Sequence, residues 1–564
     1  MGVPSLFRNV FKNNQKCCSS INESNVDHLY FDFNCLIHQC HQKLTIESET
    51  SSRDIEEELI TSIIEYTTYI ITSVVKPTKL VYIAIDGPIP MGKIMQQRSR
   101  RYKKIADDFH IKKIKDKKGI TNHNIFNSNK ITPGTIFMTK LCNRIKNLIH
   151  LGAFSSHINN KEKSFTVFFS DSNHPGEGEH KIMNFMKNTN YKPSIIIYGL
   201  DADLIILSML YDNNNIKLLR ETDHLSNDIK DFFPSSDYIY VSINEYVMGL
   251  FEDYKLKSFD KQNIIKDIIF FSFFGGNDFV EPFINTKIRE RDNYSKIFNI
   301  YTKILFSKQK YLIYNNEINI SFFQEFIYEL SQTEDMFVKK SLRQRFQKNN
   351  MVHDDPLDNE IHNYYHSYYT NRNNPLYSQY CSQFDQIDYT NIHEIWKNQY
   401  NSYFFSDISI NDVCKNYLES LQWTYKYYVD EGVPSWLFHY KYRVAPCPSD
   451  LYNFLNNSSE PFNCKFTEDD VITPIQQLLY VTPIQHSSLL PYSYQCIIKD
   501  PNITDLFQLK FKLDVVKGLK NIYSEPILPP IDVDLYESIL LTIPVTEHDV
   551  ARNKIKLNIY CVKS

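Results

Sequence analysis

The feature that most constrains the fold is a series of four short apolar segments, each of which is followed by acidic residues. The segments are HLYFDFN, LVYIAIDG, SFTVFFSDS and SIIIYGLDAD. Between the first two, Ile55, Leu59 and Ile63 recur at helical spacing. Short apolar runs that alternate with amphipathic segments are typical of a largely parallel sheet flanked by helices. We therefore predict an α/β fold for residues 1–280.

Acidic residues stand at the end of each predicted strand or shortly after it. They are Asp32, Asp86, Glu177, Glu179, Asp201 and Asp203, and Asp278 in FFGGNDFVEPF is a seventh candidate. The carboxyl ends of parallel strands open on one crevice, so we expect these side chains to converge. A single acid after a strand is usually a turn or helix-capping residue. The repetition favours a shared site over this alternative.

Converging carboxylates need a neutralising partner. Two like charges about 4 Å apart repel each other by about 4 kcal/mol at an effective dielectric of about 20. Divalent cations that prefer oxygen ligands relieve this repulsion, and a pair of them is a common arrangement for phosphodiester hydrolysis. The acids therefore predict a site for Mg²⁺ or Mn²⁺, with two ions.

A second group of residues is predominantly basic. The segment MGKIMQQRSRRYKKI begins soon after Asp86, and helical spacing places five of its residues on one face: Lys93, Gln97, Arg100, Arg101 and Lys104. Such a face can hold a phosphate through charge-assisted hydrogen bonds. A solvated helix face is the alternative, and the nearness of the strand-end acid favours the phosphate.

Composition sets the wider limits. The chain has 564 residues, more than the roughly 250 to 300 over which a single core usually grows, so several layers or subdomains are expected. Hydrophobic residues make up 42%, with 39 Tyr and 38 Phe against 14 Gly, which excludes wholesale disorder. The formal net charge is only -4, so binding of a polyanion would depend on a local basic surface.

Targeting signals are weak throughout. The 11 cysteines form no CxxC pair, and the N-terminus lacks the apolar run of a signal peptide. No apolar stretch reaches the roughly 18 residues of a membrane span. We therefore expect a cytoplasmic protein with reduced thiols and no membrane contact, with the nucleus as the alternative compartment.

Long motifs along the chain resemble those of the Xrn 5′-to-3′ exoribonucleases, in the same order. They are MGVPSLFR, YFDFNCLIH, IDGPIPMGKIMQQRSRRYKK, ITPGTIFMTKL, PGEGEHKIMNFM, YGLDADLIILSML and FFGGNDFVEPF. A second block, LQWTYKYYVDEGVPSWLFHYKYRVAPCPSDL, followed by PIQQLLYVTP and SSLLP, resembles the second conserved region of that family. The resemblance extends from Met1 to about residue 545.

The resemblance implies roles for particular residues. The seven acids Asp32, Asp86, Glu177, Glu179, Asp201, Asp203 and Asp278 correspond to the catalytic metal ligands of the family. The pocket for a 5′-monophosphate corresponds to Lys93, Gln97, Arg100 and Arg101. His38 and Trp436 are candidates for stacking on the 5′ base. A hydrogen-bonding histidine and a core tryptophan are the alternatives, and Trp423 competes with Trp436 for the role.

The resemblance also implies an architecture. It predicts a PIN or flap-nuclease-like core, with a mixed, largely parallel sheet flanked by helices, and a mainly helical second region packed on it. We divide the chain into a nuclease core (residues 1–285), a variable helical and loop excursion (286–400) and a second conserved region that completes the active-site pocket (401–564). The basic run 111–119 is expected to be a solvated loop, with RNA contact or nuclear targeting as alternatives.

The expected activity is metal-dependent removal of nucleoside 5′-monophosphates from the 5′ end of single-stranded RNA, as in messenger-RNA decay. The expected substrate has a 5′-monophosphate, a decapping enzyme is a candidate partner, and the expected oligomeric state is a monomer. The expected protein is a minimal catalytic unit, and its Asn- and Ile-rich composition would suit a viral or other divergent origin. Two alternatives are a flap-type DNA endonuclease and a non-catalytic RNA-binding homologue, and the latter would be expected to have lost its acids.

Overall fold

The structure is a computed structural model. It describes residues 7, 11, 14–21, 25–47, 54–120, 126–154, 165–187, 192–211, 215–225, 227–286, 293–345, 356–366, 392–430, 432–457, 464–499, 507, 510–514 and 524–563. The strands are β1 (Cys18–Ser19), β2 (His28–Asp32), β3 (Leu80–Ala84), β4 (Thr166–Ser170), β5 (Ile195–Tyr198), β6 (Ile216–Glu221), β7 (Tyr238–Ser242), β8 (Ile313–Tyr314), β9 (Glu317–Ile318), β10 (Lys512–Asp514), β11 (Glu525–Ile527) and β12 (Tyr560–Lys563).

The α-helices begin after β2 and continue almost to the last strand. They are α1 (Phe33–Glu47), α2 (Ile55–Tyr69), α3 (Met91–Lys117), α4 (Ile136–His150), α5 (Gly178–Lys187), α6 (Asp203–Leu210), α7 (Asn227–Lys230), α8 (Ile243–Asp253), α9 (Lys261–Ser272), α10 (Asn293–Lys308), α11 (Ile320–Ser331), α12 (Glu334–Arg345), α13 (Pro356–His366), α14 (Ile392–Phe404), α15 (Ile410–Val429), α16 (Pro448–Asn457), α17 (Pro474–Val481), α18 (Val533–Leu540) and α19 (Glu547–Asn553).

One sheet of eight strands organises the fold, in the order β1-β7-β6-β5-β2-β3-β4-β12. Its five central strands, β6, β5, β2, β3 and β4, are parallel, whereas β7, β1 and β12 join it antiparallel. The four segments predicted from the sequence form β2, β3, β4 and β5. The predicted fold class, a mixed and largely parallel sheet flanked by helices, is confirmed.

Helices cover both faces of the sheet. Every residue of β2, β3 and β5 is buried, which is why these strands are continuous apolar runs and not alternating ones. Helices α1, α2 and α4 bury their apolar sides against one face. The other face packs against α5, α6, α8, α9, α10 and α11, together with α15 and α16. The strand-end acids therefore lie at the edge of a sheet whose two faces are both covered by helices.

The second region is mainly helical, as predicted, and it joins the sheet in a way that the sequence did not indicate. The strand β12 pairs antiparallel with β4, with Tyr560 opposite Phe169 and Lys563 opposite Thr166. Helices α10 and α11, from the expected excursion, share the apolar core of the sheet. The division of the chain into 1–285, 286–400 and 401–564 remains a prediction.

Helix α3 carries the predicted basic face, and it is longer than expected. It continues through the basic run that starts at Ile111, so the expectation of a loop there is wrong. The sequence between Lys93 and Lys118 contains neither Pro nor Gly, so nothing in it interrupts the helix. The chain turns at Gly119, whose φ of 69° lies in the left-handed region that glycine adopts readily.

Part of the expected excursion packs on this helix. In α13, the Tyr364 hydroxyl donates a hydrogen bond to Asp107 Oδ1 (2.8 Å), and the Tyr364 ring stacks on His110 with centroids 5.0 Å apart. Most of residues 340–400 otherwise lies outside the described residues. None of the described helices is long and apolar enough to cross a membrane.

Candidate active site

The strand-end acids stand at one edge of the sheet, as the parallel topology requires. Asp32 is the last residue of β2, and Asp86 follows β3 by two residues. Beyond β4 and β5, Glu179 lies in the first turn of α5, and Asp203 is the first residue of α6. Asp278 follows the short 3-10 helix that ends α9. Each carboxylate thus comes from a different connection at the same end of the sheet.

Three of the acids form a compact group. Asp32, Asp86 and Glu179 each offer a carboxylate oxygen, and these oxygens lie within 4.8 Å of one another. Gly178 makes this approach possible, because a Cβ atom at that position would lie 2.8 Å from Asp32 Oδ1. Its backbone N–H donates a hydrogen bond to Asp86 Oδ1 (2.7 Å). The glycine between the two glutamates of PGEGEHKIM therefore lets the backbone approach the carboxylates closely.

Burial and mutual repulsion disfavour the ionised acids. Burial raises the pKa of Asp32 well above its ordinary value, and the charges of Asp86 and Asp201 raise it further. The pKa of Asp203 rises to about 8, through burial and then through the charge of Asp201. Burial likewise raises the pKa of Glu179. These shifts connect carboxylates from β2, β3, β4 and β5 into one electrostatic cluster.

Lys93 lies inside the acidic cluster. Its ammonium group forms ion pairs with Glu177 and with Asp278, whose Oδ2 is 2.6 Å away. Burial favours the neutral amine, but the charges of these two acids outweigh burial and hold the pKa of Lys93 well above its usual value. The same ion pair keeps the pKa of Asp278 low despite its burial. Lys93 thus offsets part of the negative charge.

Three further residues hold the acids in place, and the sequence did not single them out. Asn34 donates to Asp86 Oδ2 (2.7 Å), and Gln96 donates to Asp278 Oδ1 (3.1 Å). Tyr427, in α15, donates to Glu177 Oε1 (2.9 Å). Asn34 follows Asp32 by two residues and Gln96 precedes Gln97, so local spacing was a possible signal for these two. Tyr427 has no such signal.

The arginines of the basic face lie two helical turns beyond Lys93. Arg100 is exposed, whereas Arg101 is half-buried and donates from Nη2 to Thr132 Oγ1 (2.7 Å). Within the described part of the chain, Arg101 Nη1 and Gln97 Oε1 are buried without a hydrogen-bond partner. Burial, and then the charge of Arg100, lower the pKa of Arg101 to about 9. Among the described residues, no carboxylate forms an ion pair with either guanidinium group.

His38 stands beside these arginines. The pKa of its imidazole is lowered to about 4. Desolvation by the surrounding protein is the largest cause, and the positive charges of Arg100 and Arg101 add to it. Its side chain nevertheless has access to solvent. His38 is thus a solvent-accessible side chain close to the two arginines.

The two tryptophans of the second block have different environments. Trp423 is 2% exposed, and its indole N–H donates to the Ser435 carbonyl (3.0 Å), so it belongs to the core. Trp436 is only partly buried, and its carbonyl accepts a hydrogen bond from the first residue of α3, Met91 (2.7 Å). Of the two, only Trp436 offers surface near the basic helix.

The acidic cluster suits a metal ion. Its donors are carboxylate oxygens, which are the ligands that hard divalent cations prefer. The oxygens of Asp32, Asp86 and Glu179 are close enough for one ion to contact all three. The raised pKa values mean that the acids gain from a positive partner beyond Lys93. The residues present therefore fit a bound cation.

Comparisons with known proteins agree with this architecture. A family model described as "XRN 5'-3' exonuclease N-terminus" matches residues 1–222, and one described as "Xrn1 helical domain" matches residues 258–402 and 393–564. Among curated relatives, "5'-3' exoribonuclease 1" of Homo sapiens is 26% identical over 91% of this chain and 32% of its own length. The protein of the same name from Schizosaccharomyces pombe is 26% identical over 91% of this chain and 46% of its own length.

A third relative, "5'-3' exoribonuclease 2 homolog" of Drosophila melanogaster, is 26% identical over 94% of this chain and 67% of its own length.

The fold and the acidic crevice define a PIN-like α/β protein of the nuclease class. The chain belongs to the Xrn family, because the helical-domain model alone matches more than half of it. It spans less than half the length of the first two relatives.

Proposed function

We propose that the protein is a 5′-to-3′ exoribonuclease that hydrolyses 5′-monophosphorylated single-stranded RNA to nucleoside 5′-monophosphates. The observation that carries this proposal is the course of α3, which joins the acidic cluster at Lys93 to the arginine pair. Over the seven residues from Lys93 to Arg100 the helix rises about 10 Å, so both groups lie along one short length of helix. The names of the relatives describe the same activity.

In this proposal the acids hold two divalent cations, Mg²⁺ or Mn²⁺. The proposed ligands are Asp32, Asp86, Glu177, Glu179, Asp201, Asp203 and Asp278. When bound, the ions would supply an activated water and offset charge on the departing 3′ oxygen. The protein positions the carboxylates. The positive charge of Lys93 reduces the net negative charge of the cluster, and so reduces its repulsion of an RNA phosphate.

The basic face of α3 then selects the 5′ end. We assign the terminal phosphate to Gln97, Arg100 and Arg101, with Lys93 at the junction with the acids. The buried Nη1 of Arg101, which has no partner in the described part of the chain, supports the assignment, because an arginine held in this way gains a charge-assisted hydrogen bond from a phosphate. A monophosphate fits such a pocket, whereas a cap or a triphosphate would exceed it.

His38 and Trp436 are the proposed stacking residues for the 5′ base. The solvent access of His38 beside the arginines and the partial exposure of Trp436 beside the start of α3 support this assignment. Base stacking is tolerant of sequence and contributes about 1 to 3 kcal/mol per base. The enzyme would therefore degrade RNAs of many sequences.

The proposed cellular role is RNA decay in the cytoplasm, with a monomer as the acting species and a decapping enzyme as the source of 5′-monophosphate ends. Neither alternative activity has an observation in its favour. The second region of the chain reaches the site through Tyr427, unlike a bare flap-nuclease core, and the sequence contains all seven acids.

Direction and metal dependence are tested with one internally labelled RNA that carries a 5′-monophosphate. In Mg²⁺ the expected products are mononucleotides from the first time points onward, and in EDTA the RNA is expected to remain intact. Internal fragments would favour the endonuclease. Tight binding without degradation in either condition would favour the non-catalytic homologue.

Metal binding at pH 7 is expected to release protons. The pKa of Asp203 is about 8 in the metal-free protein, so this acid is largely protonated at pH 7, whereas a metal ligand must be deprotonated. We expect at least one proton per protein to be released at pH 7, because the pKa values of Asp32 and Glu179 are also raised, and we expect the share from Asp203 to fall as the pH rises above 8. Calorimetry of Mg²⁺ binding in two buffers of different ionisation enthalpy measures this number. Equal heats in both buffers at pH 7 would contradict the prediction.

A further inference from the structure

The residue Tyr427 reaches the acidic cluster from the second region of the chain. It lies in α15, 250 residues beyond Glu177, and its hydroxyl donates a hydrogen bond to Glu177 Oε1 (2.9 Å). Both side chains are 3% exposed. A hydrogen bond between two groups that are this deeply buried does not compete with water, and its acceptor is a carboxylate, which strengthens it.

Three aromatic side chains pack against the ring of Tyr427. His180 stacks on it with ring centroids 4.0 Å apart and an interplanar angle of 30°, and Trp423 stacks with centroids 5.1 Å apart and an angle of 25°. Phe279 meets it edge-on at 5.2 Å. Since the ring cannot shift without disturbing these neighbours, the position of the hydroxyl is fixed by packing.

The hydrogen bond leaves Glu177 little freedom. Its Oε1 accepts from Tyr427, and its Oε2 pairs with the ammonium group of Lys93. Lys93 also pairs with Asp278, so it can exchange partners, whereas the tyrosine hydroxyl has no other acceptor among the described residues. Glu177 is therefore held at both carboxylate oxygens, by the lysine on one and by the tyrosine on the other.

We infer that Tyr427 is a positioning residue, which orients the Glu177 carboxylate for cation binding and so couples the helical second region to the acidic crevice. The inference rests on the proposed function. Tyr427 does not touch the RNA or the reacting atoms. Its effect is to hold one carboxylate in a fixed direction before the cation arrives.

The test compares Tyr427→Phe with Tyr425→Phe. The first variant keeps the stacked ring and removes only the hydroxyl. The control, two residues earlier in α15, removes a buried hydroxyl that has no hydrogen-bond partner in the described part of the chain, from a ring that packs edge-on against Phe270. Both variants are expected to fold, as judged by a single cooperative unfolding transition in EDTA, and Tyr427→Phe is expected to melt at a somewhat lower temperature because it loses a buried hydrogen bond.

For Tyr427→Phe we expect the Mg²⁺ concentration that gives half-maximal turnover to rise about tenfold, the size expected when a hydrogen bond to a charged group is lost. The rise in melting temperature that Mn²⁺ causes without RNA should shrink in parallel, and KM for RNA at saturating Mg²⁺ should not change. Tyr425→Phe should match the wild type in all three measurements.

Equal metal dependence in Tyr427→Phe and the wild type would overturn the positioning role. If Tyr427→Phe unfolds, Glu177→Gln provides a second measurement. It should weaken the Mn²⁺-induced stabilisation in the same way, and a full stabilisation in that variant would overturn the role as well. A wild-type protein that is stabilised by Mn²⁺ but degrades no RNA would instead contradict the proposed function and leave the metal-binding comparison intact.

Discussion

Replacement of Asp32 by Asn is expected to reduce RNA degradation by about 10³-fold while the protein stays folded. Asp32 lies within 4.8 Å of carboxylate oxygens of Asp86 and Glu179, and the amide cannot supply the charge that a divalent cation requires. The substitution also removes a source of repulsion, because burial and neighbouring acids raise the pKa of Asp32. Loss of activity should therefore accompany an equal or higher melting temperature in EDTA.

The measurement is a single-turnover degradation assay in Mg²⁺, paired with thermal unfolding in EDTA and in Mn²⁺. Asp260→Asn is the matched control, because Asp260 caps α9 outside the cluster and asparagine caps a helix equally well. The control should keep full activity and full stabilisation by Mn²⁺. Normal turnover by the Asp32 variant would remove this residue from the metal site.

Replacement of Arg100 by Ala is expected to reduce the preference for a 5′-monophosphate over a 5′-hydroxyl by about 10- to 100-fold. The range corresponds to the loss of one charge-assisted hydrogen bond of about 1.5 to 3 kcal/mol. Arg100 is exposed, so the change should not affect folding. The acids that perform the chemistry remain, so degradation of 5′-hydroxyl RNA should continue at its original low rate.

The ratio of kcat/KM for the two RNAs measures this preference. Lys112→Ala, an exposed basic residue farther along the same helix, is the control for a general loss of positive charge. Both variants weaken nonspecific attraction of RNA, but only Arg100→Ala should change the ratio. If the ratio stays constant in Arg100→Ala, the terminal phosphate lies elsewhere.

The sequence predicted the positions of the acids because the relevant signal is local. Each acid lies within a few residues of an apolar run. Parallel strands place the residues that follow them at one edge of the sheet, independently of how the rest of the chain folds. The pattern did not indicate that Asp32, Asp86 and Glu179 would form the tightest group. That outcome depends on Gly178, whose missing side chain leaves space for the carboxylates.

The basic helix α3 shows which features the spacing of residues could not predict. Helical spacing correctly placed Lys93 on the same face as Arg100 and Arg101. It could not predict the direction of the long Lys93 side chain. That side chain turns to Glu177 and Asp278 because their charges attract it. The run from Ile111 looked like a loop by its charge, yet it has no helix-breaking residue. Charge alone was a poor guide to secondary structure there.

Long-range partners were beyond the sequence. Tyr427 lies in a tyrosine-rich stretch in which several rings belong to the core, and nothing local separates it from Tyr425. The strand β12 has four residues, too few for a periodic signal, and it is recognisable only by its pairing with β4. In both cases the partner is hundreds of residues away, and only the folded chain brings the two together.

The measurement that tests the central claim most directly compares four versions of one internally labelled RNA, with a 5′-monophosphate, 5′-hydroxyl, 5′-triphosphate or cap, each in Mg²⁺ and in EDTA. The account predicts mononucleotides from the monophosphate RNA in Mg²⁺ and little degradation in every other condition. Equal degradation of all four RNAs in Mg²⁺ would contradict it, because the arginines of α3 would then have no part in selecting the 5′ end.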